Sequence, residues 1–442
     1  MNAQDLKSLG EALRRIRKEK GFRLKDLEDH RISFATISSI ERGVPTVKPQ
    51  NRIYYCQKLG FDIEDLPSLI NKERENRSQI ENLLFLIETC INLDCDGALE
   101  RLRMLQQESK GQFMDIILYL KGLCYMKKNN LKAAEKYINQ AIELIDSGKG
   151  TMNENNIKAA CFNELGRIYY LRDNNLNKAL DFVNKGLNVF IKSGDRQELQ
   201  YELLIGKVSY LEKLYRTDEA LQTLDELWAS IQNINRLDVK LNMYELRATL
   251  LNQKKKFQTA LTFAKEGLYI ARANGTHEQA VRLLTVWGNI LQNAGDLQTA
   301  ENCYQLALRL ENKLKDKKYV LVSTLTQLGK LYGKRGEWEQ SFNCLNMAVN
   351  RGRKYNDAHR FCESLMALGD YYLETDEYAK AITPYEEALE ISTQYNFSRQ
   401  KEKSLLNLSE CWKKMGNTEK YVALLDELQS ELRLREQEGL ET

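Results

Sequence analysis

The sequence predicts an all-α protein in which a small N-terminal helical domain precedes a long array of helical hairpins. Only four prolines occur in the 442 residues, and none lies between positions 68 and 383. Because proline interrupts helices, this long interval is free to be helical. One apolar pattern recurs about every 40 residues, which is typical of stacked repeats. The excess positive charge is confined to residues 1–66, which carry a net +3.

The repeating unit is clearest in residues 367–391, which read as two helices joined by a polar turn. Gly369 marks a close helix crossing in the first helix, and Ala381, Tyr385 and Ala388 share one face of the second. Such a hairpin cannot bury both of its apolar faces alone, but stacked copies can. The small-residue position recurs at Gly122, Gly166, Gly206, Ala248, Gly288, Gly329, Gly369 and Ser409.

The spacing from Gly166 onward is 40, 42, 40, 41, 40 and 40 residues. The order of small residue, aromatic, Ala, aromatic and Ala resembles the tetratricopeptide repeat. The period exceeds the usual ~34 residues of that repeat, so we expect each helix to be longer by about one turn. The resemblance implies a right-handed superhelix of about eight or nine repeats over residues 81–442, which binds peptide and dimerises. An unrelated helical solenoid with similar packing is the alternative.

Residues 1–66 predict a separate domain of five short helices, followed by a polar linker at 67–80. Gly21, Gly43 and Gly60 each end a helix, and Ser33 is a candidate N-cap. The expected helices are Leu6–Lys20, Leu24 to about Asp29, Ser33–Arg42, Gln50–Leu59 and one beginning at Ile63.

The segments LRRIRKEKGFRLKDL (13–27) and TISSIERG (36–43) resemble the phage-repressor-like (Xre/Cro) helix-turn-helix. Two departures are Leu24, where that family often has Gln, and a turn one residue shorter than in its commonest members. The resemblance implies that the third helix enters the major groove of double-stranded DNA.

The DNA contacts that follow from this resemblance fall into two groups. Residues expected at base edges are Ser33, Phe34, Ala35, Thr36 and Ser39, and those expected on phosphates are Arg23, Lys25, Arg42 and Lys48. The alternative is that Phe34 packs inward and the domain serves only dimerisation.

In tetratricopeptide arrays the first helix of each hairpin lines a concave wall. Asn can pair with both sides of an extended peptide backbone, and Arg or Lys can hold a carboxylate. Ordinary solvation of an exposed helix face is the competing interpretation. The candidate peptide-binding residues are Asn163, Arg167, Tyr170, Lys207, Tyr210, Asn242, Glu245, Asn252, Arg282, Asn289, Gln292 and Lys330, with Thr326 and Asp370 in equivalent positions.

No catalytic motif is present: the sequence lacks a Walker loop, GxGxxG, HExxH and GxSxG, so we expect no enzyme and no cofactor. Nine cysteines without a CxxC, beside three histidines, predict no metal site and a reducing cytoplasm. No apolar run approaches ~18 residues and the N-terminus has no apolar signal region, so no membrane association is expected.

The combination of the two parts resembles the RRNPP family of peptide-sensing regulators (NprR-, PlcR- and Rap-like). That resemblance implies a cytoplasmic homodimeric transcription regulator, whose operator binding responds to a short secreted signalling peptide in quorum sensing. A Rap-like regulator that captures a response regulator or another protein is the alternative. A phage or mobile-element receptor controlling lysis and lysogeny is another.

Overall fold

A computed structural model of the protein describes residues 3–109, 111–148, 150–151 and 155–437. Within these ranges the chain is helical and contains no β-strand, and none of its helices is long and apolar enough to cross a membrane. The contacts divide the chain into unit 1, Met1–Lys128, and unit 2, Asn129–Thr442. Residues 1–2 and 438–442, the ends of the first and last predicted domains, lie outside the described residues.

Unit 1 begins with the short helices that the sequence predicts, although the second is only a 3-10 turn, Leu24–Leu27. Another 3-10 turn, Ile63–Asp65, leads into a long helix that contains the whole segment predicted as a linker, 67–80. The helices of unit 1 are α1 (Ala3–Glu19), α2 (Phe34–Glu41), α3 (Pro49–Lys58), α4 (Leu66–Cys90), α5 (Cys95–Glu108) and α6 (Met114–Lys127).

A buried ion pair joins the first two helices of unit 1. Arg17 on α1 donates from Nε to Glu41 Oε1 on α2 at 2.7 Å, and Tyr55 on α3 donates its hydroxyl to the same oxygen at 2.6 Å. Ser33 caps α2, because its hydroxyl accepts a hydrogen bond from the Thr36 amide at 3.3 Å. The ion pair therefore holds the C-terminal end of α2 against α1, and the cap fixes where α2 begins.

The α-helices of the described part of unit 2 form one single helix followed by seven antiparallel hairpins. Each hairpin packs on the next, so the apolar faces that a single hairpin leaves open are covered by its neighbours. The helices are α7 (Leu131–Asp146), α8 (Ile157–Asp173), α9 (Leu176–Val189), α10 (Leu199–Lys213), α11 (Thr217–Trp228), α12 (Leu237–Gln253), α13 (Phe257–Ala273), α14 (His277–Ala294), α15 (Leu297–Arg309), α16 (Leu321–Lys334), α17 (Trp338–Gly352), α18 (Ala358–Glu374), α19 (Tyr378–Gln394), α20 (Ser398–Lys414) and α21 (Thr418–Gln437).

The recurring small residue allows the two helices of a hairpin to cross closely. A Cβ atom at Gly288 would lie 2.5 Å from Tyr304 Cε1, and one at Gly369 would lie 2.6 Å from Tyr385 Cε1. Both tyrosines are fully buried. Glycine is therefore required here by the aromatic ring of the partner helix, as the sequence pattern predicts.

Candidate functional site

The first helices of successive hairpins in unit 2 line a polar groove. They are α8, α10, α12, α14, α16 and α18, and they contribute side chains to a cavity of about 720 Å³. A second cavity of about 310 Å³ adjoins it. Six residues line both cavities: Glu212, Lys213, Thr249, Asn289, Ser323 and Arg360. We call the two cavities together the groove.

The groove is bounded where two parts of the array that are distant in the chain come into contact. Asn356 donates from Nδ2 to the Leu171 carbonyl at 2.6 Å, and the Ala358 amide donates to Asn174 Oδ1 at 3.0 Å. These partners are separated by 184 or 185 positions in the chain. Because Leu171 and Asn356 also line the larger cavity, their contact forms part of its wall.

A second contact between the same parts of the array lies beside the first. Gln400 Nε2 is 3.5 Å from the Tyr215 hydroxyl, and the Arg399 guanidinium lies 4.3 Å from the centre of the Tyr215 ring. We use the name clasp for Asn174, Tyr215, Asn356, Arg399 and Gln400. The clasp joins the α8 and α10 hairpins to the loop before α18 and to α20. Because these segments are far apart in the chain, no local sequence pattern predicts the contact.

Ion pairs cover much of the groove wall. Arg167 donates to Glu164 at 2.8 Å, Arg236 to Glu202 and Asp238, Arg282 to Glu245 with 2.9 Å between Nε and Oε2, and Arg360 to Asp357. Burial alone would raise the pKa of Asp357, but the Arg360 guanidinium outweighs it and lowers that pKa to about 2. Each of these arginines therefore already has a carboxylate partner within the protein.

Side-chain amides supply hydrogen-bonding groups that the protein itself does not satisfy. Asn163 is 5% exposed, and its side-chain amide forms no hydrogen bond with another described residue. Asn242 Oδ1 is buried without a hydrogen-bond partner. The Tyr304 hydroxyl lies 2.8 Å from both Asn289 Oδ1 and Gln292 Oε1 and shares its one proton between them, and neither side-chain nitrogen has a hydrogen-bond partner among the described residues. Orphaned polar groups of this kind are costly unless a ligand or water pairs with them.

The structure brings most of the sequence-predicted groove residues together. Those lining the larger cavity are Asn163, Arg167, Tyr170, Tyr210, Asn242, Glu245, Arg282 and Asn289, and those lining the smaller are Asn252, Asn289 and Gln292. Lys207 and Lys330 line neither cavity. Burial lowers the pKa of Lys330, which lies among the charges of Glu363, Lys403 and Asp370. Thr326 is 1% exposed and donates to the Val322 carbonyl within its own helix.

Sequence reasoning missed the groove residues that lie farther from the small-residue positions. Lys213 lies seven positions after Gly206 and one helical turn beyond the predicted Tyr210. Extending the predicted groove-facing positions of this helix by one turn would have included it. Asp357 and Arg360 enter the groove only because the superhelix returns to this point. No periodic signal marks them.

The nine residues predicted to contact DNA all lie at the surface of unit 1. Thr36 and Ser39 are half-buried and the other seven are exposed. Phe34 is 47% exposed, so it does not pack inward. Ser39 donates its hydroxyl to the Ala35 carbonyl at 2.9 Å and receives Arg42 at 3.3 Å. The first turn of α2 therefore presents Phe34, Ala35 and short hydroxyl side chains to solvent.

Comparison with protein-family models identifies the repeats directly. Two models, both described as tetratricopeptide repeat, match residues 320–394 and 116–147. These segments are tetratricopeptide repeats. No curated protein matches the chain.

Solved structures show the same fold over most of the chain. A Rap protein, solved in complex with competence and sporulation factor, superposes with a TM-score of 0.60 at 12% identity, covering 80% of this chain and 98% of that one. NprR, solved with its cognate peptide NprX, superposes with a TM-score of 0.50 at 16% identity, covering 70% and 87%. The fold is thus an all-helical tetratricopeptide array of the kind found in these two proteins.

Proposed function

We propose that this chain is a transcription regulator of the RRNPP type, in which a short signalling peptide occupies the groove of unit 2 and controls DNA binding by unit 1. The observation that carries the proposal is the set of unsatisfied amides in the groove, because an extended peptide backbone offers both the donors and the acceptors that these amides lack. The two similar structures that hold a peptide or factor support the same ligand class.

Unit 1 supports the DNA-binding half of the proposal. Its capped helix α2 is held against α1 by the Arg17–Glu41 pair, which is the rigid support that a recognition helix needs. The exposed cations Arg23, Lys25, Arg42 and Lys48 flank α2 and suit phosphate contacts. Phe34 and Ala35 suit thymine methyl groups. We propose a homodimer, because a two-fold pair of such domains reads two half-sites.

The peptide half is tested by incubating the full chain with spent culture medium from the producing organism, washing, and identifying bound material by mass spectrometry. We expect peptides of roughly five to ten residues to be retained. Asn163→Ala should reduce their recovery, whereas Asn350→Ala, an exposed change on α17, should not. Recovery of large proteins alone would refute peptide sensing.

The DNA half is tested by selecting binding sites for the full chain from a random duplex pool. The double variant Thr36→Ala/Ser39→Ala should abolish the gel shift, and Ser78→Ala, which changes an exposed hydroxyl on α4, should leave it intact. An unchanged shift with the double variant would contradict base contact through α2.

The second candidate is a Rap-like regulator that captures another protein, such as a response regulator. It is favoured by the first turn of α2, whose short side chains include no Arg, Asn or Gln able to make bidentate contacts with bases. A chain that retains peptide yet selects no DNA, and instead binds a response regulator in a peptide-sensitive manner, would establish this candidate.

A further inference from the structure

The cations lining the groove differ in whether the protein neutralises them. Each of the four arginines Arg167, Arg236, Arg282 and Arg360 forms an ion pair with a carboxylate of unit 2. Lys213 lines both cavities, yet its side chain has no ion pair and no hydrogen bond with any described residue. Among the described residues of the groove, Lys213 is therefore a cation that can form an ion pair with a ligand.

The surroundings of Lys213 keep it charged without pairing it. Burial and the Arg360 charge disfavour the ammonium form, but the electrostatic effects of Tyr170, Glu212 and Asp357 outweigh them and raise the pKa of Lys213. The Tyr170 ring centre lies 5.8 Å from Nζ. Asp357 is committed to Arg360, as described above.

The neighbouring carboxylate does not take the place of a partner. Glu212 precedes Lys213 on α10, so the two side chains point about 100° apart around the helix. The Glu212 carboxylate accepts a hydrogen bond from Gln253 Nε2 at 3.2 Å and forms no ion pair with Lys213. An ammonium group partly removed from water without a partner is unfavourable, and a ligand carboxylate would relieve that cost.

We propose that Lys213 binds a carboxylate of the peptide and is a specificity-determining residue of the groove. This inference rests on the peptide-binding function proposed above. The carboxylate belongs either to the C-terminus of the peptide or to an Asp or Glu side chain. Amides on α12 and α14, among them Asn252, Asn289 and Gln292, then pair with the peptide backbone beside that anchor.

The test uses the full chain and three synthetic libraries of random seven-residue peptides. The first has free-acid C-termini and no Asp or Glu, the second is C-terminally amidated and also lacks Asp and Glu, and the third is amidated but contains them. The peptides retained after gel filtration are quantified by mass spectrometry. Wild type should retain the first or third library roughly tenfold or more above the second, as a charge-assisted hydrogen bond would give.

The variants separate the role of Lys213 from a general effect of charge. Lys213→Gln should remove the preference for carboxylate, and Lys213→Arg should keep it. Lys136→Gln removes the same charge from an exposed residue of α7 that lines neither cavity, and it should behave as wild type.

Each outcome decides something. Preference for the free-acid library assigns the C-terminal carboxylate, and preference for the third library assigns an acidic side chain. Equal retention of all three libraries by wild type would overturn the inference and leave peptide binding standing, and this comparison needs no variant to fold. A preference that survives in Lys213→Gln would also overturn it. Retention of no library would refute peptide binding itself.

Discussion

The hydroxyl of Tyr304 on α15 lies 2.8 Å from Asn289 Oδ1 on α14. Tyr304, a residue of the hairpin core, therefore orients the side chain of Asn289, a residue of the groove. The tyrosine ring reaches this position beneath Gly288. Tyr385 repeats the arrangement two hairpins later, where its hydroxyl donates to Asp370 at 2.7 Å. The small-residue and aromatic positions of the repeat thus do more than close the core, because they also orient the polar side chain that follows the glycine.

Removing this hydroxyl should weaken both the fold and the groove. In Tyr304→Phe the oxygens of Asn289 and Gln292 lose a buried partner, which we expect to lower the free energy of unfolding by about 1–2 kcal/mol. Retention of peptide should fall as well. Urea denaturation and peptide recovery measure the two effects. Tyr269→Phe removes a hydroxyl from a side chain that is 65% exposed and should change neither.

Glycine-to-alanine changes at two equivalent positions should have opposite signs. At Gly288 the new Cβ would lie 2.5 Å from Tyr304 Cε1, and we expect a loss of about 1–3 kcal/mol from overpacking. At Gly206 the nearest atom is Val183 Cγ2 at 3.7 Å, an ordinary contact, so the helix preference of alanine should add about 0.5–1 kcal/mol. Thermal unfolding of both variants checks the pair, and equal shifts would contradict this explanation of the small-residue position.

The clasp should control how tightly the superhelix closes. Asn356→Ala removes donors to the Leu171 and Arg172 carbonyls at 2.6 and 3.2 Å, which should cost about 1–2 kcal/mol. We also expect a larger radius of gyration by small-angle X-ray scattering. Asn350→Ala removes only a bond to Asn346 within α17, so its scattering should match that of the wild type. An unchanged radius for Asn356→Ala would show that the clasp does not set the closure.

The ion pair of unit 1 should be needed for local stability. The side chains of Arg17 and Glu41 are 9% and 5% exposed, so Glu41→Ala leaves a buried guanidinium without its partner, at a cost of about 3–5 kcal/mol. Hydrogen exchange of α1 and α2 should accelerate strongly while unit 2 stays protected. Arg14→Ala alters an exposed residue of α1 and should leave the exchange rates unchanged. Normal protection in Glu41→Ala would show that the pair contributes little.

The prediction of helices and of their pairing succeeded because it depends on short-range information. The position of Gly288, its neighbours at helical spacing, and Tyr304 sixteen residues later are all visible in one repeat. The segment 67–80 shows the limit of composition, since its polar residues read as a linker and it lies within α4. A polar helix packed on one side only has few apolar positions, so its sequence resembles that of a loop.

The choice of groove residues was less complete. Asn163, Asn242 and Asn289 follow from the inward row of the first helices, but whether a cation such as Arg282 is free depends on Glu245, 37 positions earlier in the preceding repeat. Which side chains on neighbouring first helices form ion pairs is set by the rotation from one hairpin to the next. That rotation results from many contacts between neighbouring hairpins, so it cannot be read from the sequence of a single repeat.

By itself the sequence determined that this protein is an array of helical hairpins with a polar inner face, because period, small residues and aromatics act within a hairpin and its neighbour. Only the tertiary structure decided which charges lining the groove are neutralised, with Lys213 the exception among the described residues, and which residues meet across the clasp. Asn174 and Ala358 lie 184 positions apart, and they meet because the small rotations between successive hairpins accumulate along the array.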